Sequence, residues 1–556
     1  MTMGPKHEIE PEAAPEAGVE TGVGAGADTS AVEPKLADIV ERPLREILVI
    51  AAPSVVTMTS YTLMQFVDAL MVSRIGPEPV YVAAQGNGGV VAWLLMAVVL
   101  GLTGVVNTFV SQHLGAGRPR EGAAYAWNAL WLSIAAWAAL MLPVAALAPF
   151  IFEAREAIIG ATGGEGGATD PRLMRLQTEY ARIMLMGGVF VVCGRAISHY
   201  FYGMHRPAVV MIAALAGNLV NIAVNLVLIF GEAGLPVPEA LEGTIGGAVL
   251  GTCSGAAAAV AGALGVPAMG VAGAALGSVI GAAVELTIPM ALFLSPSYAR
   301  RFGTRAAWRV NMRKIRDIVR IGWPAGAMFA NEMFCWTYLM SVLIAAGGAA
   351  AGASAVIHNT AGWIGLRYMH LSFMPAVGLS IAMTAIVGKC MGMGRPDLAT
   401  SRTWLGLRIG LVYMGACAIG FFVLREWMIE RFVPASMSAA EAEELVRIGS
   451  TVMIAAAVFQ VFDAMAIVLS GALRGAGDTV WPGIATILLS WGCIVGLGHL
   501  LVATAPRLGS LGPWIGAAAF IITLGSALLW RFVGGKWREI KLVERAPVAE
   551  SGPAAA

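Results

Sequence analysis

Long apolar stretches alternate with short polar links along most of the chain. A helix that crosses a bilayer needs about 20 apolar residues, and the stretches are at least that long. They lie at 47–73, 79–113, 122–150, 173–200, 208–230, 270–294, 316–345, 350–390, 403–425, 447–473, 480–503 and 512–533. The pattern predicts an all-α integral membrane protein with twelve transmembrane helices.

A five-residue motif occurs twice and indicates an internal repeat. Gly115–Pro119 reads Gly-Ala-Gly-Arg-Pro, and Gly392–Pro396 reads Gly-Met-Gly-Arg-Pro, 277 residues later. Six of the predicted spans separate the two copies, and an even number of crossings returns the chain to the same side. The sequence therefore predicts two six-helix lobes that are parallel repeats about an axis along the membrane normal.

Two more glycine pairs extend the repeat and reveal an insertion. Gly203 matches Gly475 at an offset of 272, whereas Gly273 matches Gly516 at an offset of 243. The shorter offset places an insertion in the first lobe, at 232–269, where glycine and alanine predominate. This segment is apolar enough for an external helix or a re-entrant piece, and the sequence does not choose between them.

The charge distribution predicts the orientation of the spans. The link before the seventh span and the start of that span hold eight basic residues and one acid, Asp317. Because short cytoplasmic links carry an excess of Lys and Arg, we expect this link and both termini to face the cytoplasm, across a bacterial inner membrane. The expected divisions are a disordered tail (1–40), an N-terminal lobe (41–295), a basic linker (296–315), a C-terminal lobe (316–534) and a polar tail (535–556).

Composition excludes several classes of function. The chain is 58% apolar and 13% charged, with a net charge of +1, so nothing favours nucleic-acid binding. The six cysteines lie singly, without metal-ligand spacing. No phosphate-binding Gly-x4-Gly-Lys-Ser/Thr loop occurs, so a transporter would draw its energy from an ion gradient. We expect no cofactor, and a monomer.

Acids inside apolar spans are the strongest candidates for function, because a charge at the bilayer centre costs about 2.5–3.5 kcal/mol on insertion scales. Glu332 lies well inside the seventh span, with no base near it in that span, and Asp463 lies in the tenth among mostly apolar neighbours. Such residues face a partner, the bundle interior or water. We expect both to line a wet passage.

The first lobe carries a second polar group. Asn218, Asn221 and Asn225 share one face of the fifth span at about 100° per residue, and Asp68 of the first span should point toward them. The asparagines suit either ligand binding or hydrogen bonds between helices, and both interpretations stay open. For Glu285 in the sixth span we favour pairing with a neighbouring helix. For Arg182, Arg195 and Arg367 we favour snorkelling or pairing with an acid.

Four stretches resemble the multidrug and toxic-compound extrusion (MATE) family. Phe459–Thr479 is similar to the tenth-helix motif of that family almost letter for letter. Val67–Val72 resembles the first helix, Gly217–Asn225 the fifth and Phe373–Leu379 the eighth. The likeness covers about 42–533. It implies two six-helix lobes around a V-shaped central cleft.

The resemblance also implies export of organic cations and other drugs in exchange for Na⁺ or H⁺. Glu332 and Asp463 match the cation-binding acids of the C-terminal lobe, and would be the ligands of Na⁺ if sodium drives transport. Asp68 matches the acid of the N-terminal lobe, with Asn218 and Asn221 beside it. Asn225 stands where some members have Asp, which argues against a proton site of two carboxylates there.

Two other functions compete with drug export. One is a flippase or exporter of lipid-linked precursors with the same two-lobe plan, which would need a basic cleft for pyrophosphate. The other is a membrane-embedded enzyme, but His358 and His370 lack a matching acid cluster. We therefore expect a transporter of small, cationic amphiphilic molecules rather than an enzyme.

Overall fold

Thirteen helices in the described part of the chain are long and apolar enough to cross a membrane. The structure is a computed structural model that describes residues 42–161, 170–236, 243–352, 354–433 and 437–543. The expected tail at 1–40 lies outside these ranges, as do residues 544–556 of the expected polar tail. The helices are α1 (Pro43–Val72), α2 (Val80–Gly115), α3 (Pro119–Arg155), α4 (Pro171–Gly203), α5 (Pro207–Ala233), α6 (Ile245–Leu264), α7 (Gly270–Phe293), α8 (Met312–Ala350), α9 (Val356–Gly392), α10 (Pro396–Val423), α11 (Ala439–Ala476), α12 (Val480–Thr504) and α13 (Leu511–Val533).

Twelve of these helices correspond to the predicted spans, and the additional one, α6, lies in the insertion. The backbone N–H of Met269 donates to the carbonyl of Leu228 at 2.8 Å, so the chain enters α7 beside the point where it leaves α5. A crossing by α6 would separate these two points by about 30 Å. Ser254, in the middle of α6, also bonds to the backbone of Leu235 beyond the end of α5. We conclude that α6 is an external helix and that the chain crosses twelve times.

The repeated Gly-x-Gly-Arg-Pro motif forms the same turn in both lobes. Gly117 and Gly394 have φ angles of 74° and 61°, a left-handed conformation that glycine adopts without steric cost. In both turns the arginine N–H returns to the carbonyl five residues earlier, at 2.8 Å for Arg118 and 2.9 Å for Arg395. A proline then starts the next helix, where no N–H is needed.

The second glycine pair confirms the repeat in the packing between helices. A Cβ atom on Gly203 would lie 2.9 Å from the carbonyl oxygen of Asn107, and one on Gly475 would lie 2.5 Å from that of Thr384. Asn107 and Thr384 are themselves 277 residues apart, the offset of the motif. The two glycines therefore permit the same close helix contact in each lobe.

Helix α1 joins the two lobes. At its start, Ile47, Ile50 and Ala51 are buried in the core formed by α8–α13. At its end, Met71 and Val72 are buried in a core of the N-terminal lobe, with residues of α2, α4, α5 and α7. The first turns of α1 thus belong to the opposite lobe from the last, which hydropathy along the chain does not reveal.

The lobes contact each other at one end, which we call the basic end because it holds the linker and the two repeat turns. Among the described residues, every hydrogen bond and ion pair between α1–α7 and α8–α13 lies at this end. This one-ended contact agrees with the predicted V-shaped cleft. The contacts are Glu46–Arg402 (2.8 Å), Asn107–Ile381 (3.1 Å), Thr108–Arg474 (2.8 Å), Gln112–Gly475 (2.9 Å), Glu121–Lys314 (2.5 Å), Tyr125–Asp317 (3.1 Å), Asn128–Asn311 (2.7 Å) and His205–Ala385 (3.1 Å).

Candidate functional site

Glu332 of α8 and Asp463 of α11 lie close enough for their charges to interact. Asp463 is 9% exposed and Glu332 is half-buried. Neither carboxyl group has a hydrogen bond or an ion pair with any described residue. Two neighbouring, unpaired acids in a largely apolar lobe are costly. The structure therefore brings together the two residues that the sequence singled out in this lobe.

The neighbours of the two acids are tied to adjacent helices. Asn331 donates to Ser490 at 2.7 Å and accepts from Trp491 at 2.8 Å, which holds α8 against α12. Gln460, one turn before Asp463, donates to Ser372 at 2.8 Å, which holds α11 against α9. The other Gln460 amide atom, its oxygen, is buried without a hydrogen-bond partner. These contacts fix the helices while the acids stay unpaired.

Arg474 supplies a positive charge to the same region. Its guanidinium interacts electrostatically with Glu332 but forms no hydrogen bond or ion pair with a described residue. Its backbone carbonyl accepts from Thr108 of the N-terminal lobe at 2.8 Å, which places Arg474 where the lobes meet. The Arg474 charge also interacts electrostatically with His199 of α4.

Asp68, Asn225 and Asn221 form a hydrogen-bonded chain in the N-terminal lobe. Asn225 donates to Asp68 at 2.7 Å and to Asn221 at 2.8 Å, and Asn221 donates to Ser278 of α7 at 3.4 Å. The predicted approach of Asp68 to the asparagine face is confirmed. Asn218 is separate from the acid, because its amide donates to the backbone carbonyl of Ser60 at 3.2 Å.

A cavity of about 110 Å³ continues this polar chain toward the basic end. Its lining includes Asn218, Asn221, Tyr61, Arg195 and Glu285. The Tyr61 hydroxyl donates to Glu285. The Arg195 guanidinium lies 3.8 Å from the same carboxylate and 3.8 Å above the Tyr61 ring. Pairing of Glu285 with neighbouring helices, as predicted, is confirmed.

The other two candidate bases lie outside the interior. Arg182 is exposed and donates to the backbone carbonyl of Ala145 at 3.1 Å. Arg367 is exposed as well. Only Arg195 of the three contributes to a buried polar cluster.

Sequence reasoning missed two residues of these clusters. Arg474 was expected in a link after the tenth span, but α11 continues to Ala476 and Gly477 caps it with a φ angle of 93°. A glycine after the last turn is the usual sign of a helix end and would have placed Arg474 inside the helix. Tyr61 lies seven residues before Asp68 on α1, hence on the same face, and this spacing was available in the sequence.

The model of the MatE family matches residues 53–227 and 327–497, one segment in each lobe. The chain belongs to the MatE family. This MATE family member is 25% identical over 477 residues to a probable multidrug resistance protein NorM of Thermotoga maritima, covering 84% of the chain and 88% of the relative. It is also 25% identical over 514 residues to the multidrug resistance protein PmpM of Pseudomonas aeruginosa, covering 91% and 94%.

Solved structures agree on the fold. A MATE crystal structure in complex with MaL6 superimposes with a TM-score of 0.72 at 19% identity, over 90% of this chain and 98% of that one. An outward-facing multidrug resistance MATE transporter of the MOP superfamily gives a TM-score of 0.71 at 19% identity, over 90% and 97%. This MATE family protein is thus a multi-pass membrane efflux transporter with the two-lobe fold.

Proposed function

We propose that the protein is a secondary active antiporter that exports cationic amphiphilic drugs from the cytoplasm in exchange for Na⁺ or H⁺. The observation that carries this proposal is the pair of unpaired carboxyl groups, Glu332 and Asp463, in the C-terminal lobe. A carboxylate without a protein partner binds a proton, a metal cation or an organic cation, and these compete for the same charge. The relatives NorM and PmpM of this protein are multidrug resistance proteins by name, which supports drugs as its substrates.

The one-ended contact between the lobes supports a cycle of alternating access. If the basic end faces the cytoplasm, the hydrogen bonds there close the cytoplasmic side. At the opposite side no hydrogen bond or ion pair joins described residues of the two lobes. In this state H⁺ or Na⁺ from outside displaces the drug from Glu332 and Asp463. Separation of the basic ends then exposes the same acids to the cytoplasm.

The oxygen atoms near Asp463 are compatible with either coupling ion. A Na⁺ ion needs several oxygen ligands. Glu332 and Asp463 offer carboxylate oxygens, and the buried Gln460 oxygen without a hydrogen-bond partner lies one turn from Asp463. A proton needs only one of the two carboxylates. The nearby Arg474 charge disfavours a second cation and favours exchange of one cation for another.

Ethidium efflux from proteoliposomes tests the proposal, with the Na⁺ and pH gradients imposed separately. We expect efflux driven by one of these gradients, and loss of it in Glu332→Gln and Asp463→Asn without loss of purified, folded protein. Matched controls are Glu426→Gln and Asp397→Asn, which change acids with side chains 64% and 59% exposed. Wild-type-like efflux by both site variants would refute the site, and no gradient-driven efflux by the wild type would refute the function.

The flippase alternative is tested in the same vesicles. A fluorescent lipid-linked pyrophosphate would be flipped by a protein with a basic cleft, and dye would not be pumped. Arg195 is already paired with Glu285 at 3.8 Å, and the buried Arg402 is paired with Glu46 at 2.8 Å, so we expect dye efflux without lipid flipping.

A further inference from the structure

The external helix α6 has two different faces. Gly247, Ser254, Ala257 and Ala261 form the buried one, and Ser254 exchanges hydrogen bonds of 2.7 and 3.0 Å with the backbone of Leu235. These contacts dock α6 on the segment that follows α5, at the end of the N-terminal lobe opposite the basic end.

The other face of α6 is apolar and uncovered in the structure. Ile245, Val249, Val260 and Leu264 are 87%, 58%, 47% and 70% exposed. At 100° per residue they fall within one third of the helix circumference. Residues 243–268 contain no charged side chain. A helix of this kind is stable at a water interface only when hydrocarbon covers the apolar stripe.

A cavity of about 470 Å³ lies between the insertion and the lobe, within the size range of ordinary ligand pockets. Most of its wall is apolar. The lining residues are Ile75, Leu176, Ile229, Phe230, Ala233, Gly234, Pro236, Ala268, Met269, Gly270 and Val271, with Arg74 and Tyr81 as the larger polar groups. The cavity thus combines a hydrocarbon-like wall with a cationic edge.

No described residue forms an ion pair that neutralises the positive charge at this edge. Arg74 has no ion pair and no side-chain hydrogen bond with any described residue. The neighbouring Arg172 is satisfied, because it pairs with Glu78 at 2.5 Å and its guanidinium lies 5.0 Å from the Tyr81 ring centre. Arg74 follows the end of the candidate membrane span α1 by two residues, so we expect it near the depth of the lipid headgroups.

We propose that the insertion builds a binding site for an anionic phospholipid of the leaflet at this end of the protein. Arg74 binds the phosphate group, and the acyl chains lie along Ile75, Phe230 and Met269 and against the apolar stripe of α6. The commitment to a lipid, rather than a free phosphate, rests on the apolar wall and on the exposed stripe beside it. This site is independent of the transport acids.

Native mass spectrometry of the purified full-length protein tests the proposal. The protein is released from detergent with added phosphatidylglycerol or phosphatidylcholine, and retained lipid is counted. We expect preferential retention of phosphatidylglycerol by the wild type, and an increase of about tenfold in its dissociation constant in Arg74→Gln, the effect of losing roughly 1.4 kcal/mol. The matched control is Arg507→Gln, an exposed arginine at the same end of the C-terminal lobe.

Further measurements distinguish a bound lipid from free phosphate and from a second copy of the protein. Ala268→Trp fills the cavity without removing charge, and it should also weaken lipid retention. Added inorganic phosphate should not displace the lipid. The lipid site would be overturned if Arg74→Gln and the wild type retained lipid equally, or if the wild type retained both lipids equally. Displacement of the lipid by phosphate would also overturn it, as would a dimer in light scattering that Val249→Lys dissociates.

Discussion

Asn225 donates a hydrogen bond of 2.7 Å to Asp68, which ties the end of α1 to the middle of α5. The same amide nitrogen donates to Asn221 at 2.8 Å, so both of its hydrogens are used. The acid of the N-terminal lobe is therefore held by an uncharged partner, unlike Glu285, which has an arginine beside it. This difference leaves the Asp68 carboxyl group without a cationic partner among the described residues.

Removing the Asn225 amide should destabilise the N-terminal lobe. Asn225→Leu leaves Asp68 and Asn221 without this donor, at a cost of roughly 1–3 kcal/mol for a buried group that loses its hydrogen bond. Thermal unfolding of the purified protein should show a lower midpoint. In a double-mutant cycle with Asp68→Asn, the two effects should be non-additive by about 0.5–3 kcal/mol, and additive effects would show that the bond contributes nothing.

Substitutions in the Tyr61–Arg195–Glu285 cluster should lower the stability of the protein by unequal amounts. Tyr61→Phe removes one hydrogen bond, at about 1 kcal/mol, whereas Arg195→Met leaves a largely buried carboxylate without its cationic partner, at about 3–5 kcal/mol. Thermal unfolding should therefore rank Arg195→Met as the more damaging. Adding Glu285→Gln to Arg195→Met should restore part of the stability, and a further loss in the double variant would contradict the ion pair.

Removing the charge of Arg474 should strengthen cation binding at Glu332. Arg474→Gln takes away a positive charge that interacts with Glu332 and repels a cation bound there, so dye affinity should rise several-fold in a fluorescence binding assay. The backbone bond from Thr108 to residue 474 does not depend on the side chain. Arg395→Gln, an exposed arginine paired with Asp397 at 2.7 Å, should leave affinity unchanged.

A disulfide across the lobe contact should trap the protein in the present state. A Cβ atom on Gly388 would lie 3.1 Å from the Cβ of Ser111, slightly closer than the usual 3.5–4.5 Å of a disulfide, so a small shift lets the bond form. Oxidised Ser111→Cys/Gly388→Cys should not transport dye, and reductant should restore transport. Each single variant is the control for the substitutions themselves, and efflux by the cross-linked protein would show that the basic ends need not separate.

Much of the fold was predictable, because it depends on local pattern. Hydropathy located the twelve crossing helices with ends that lie within eight residues of the observed ones, and the repeated Gly-x-Gly-Arg-Pro motif indicated the turns at Gly117 and Gly394. The path of α1 between the lobes was not predictable, since Ile47 and Met71 look alike in the sequence and differ only in their distant partners. The external position of α6 depends on the contact between Met269 and Leu228, which hydropathy does not report.

Among the candidate site residues, the acids could be singled out from the sequence, and their partners less so. Glu332, Asp463 and Asp68 stood out because charge inside an apolar span is costly. Spacing on α5 indicated the approach of Asn221 and Asn225 to Asp68. Arg474 and Tyr61 were not predicted, because an arginine near a helix end and a tyrosine in a span are both common. Only the packing of the surrounding helices shows which groups they contact.

The shared helix α1 has a consequence for any attempt to cut the protein in two. A fragment that begins at the linker, near residue 304, lacks Ile47, Ile50 and Ala51, which fill part of the core of its lobe, and loses the Glu46 partner of Arg402. Such a fragment would expose an apolar groove to lipid. It would also leave the buried Arg402 guanidinium without a carboxylate partner, in surroundings that solvate a charge poorly. The two halves, though built on one repeat, are not autonomous folding units, and co-expression with the other half should be needed to recover either.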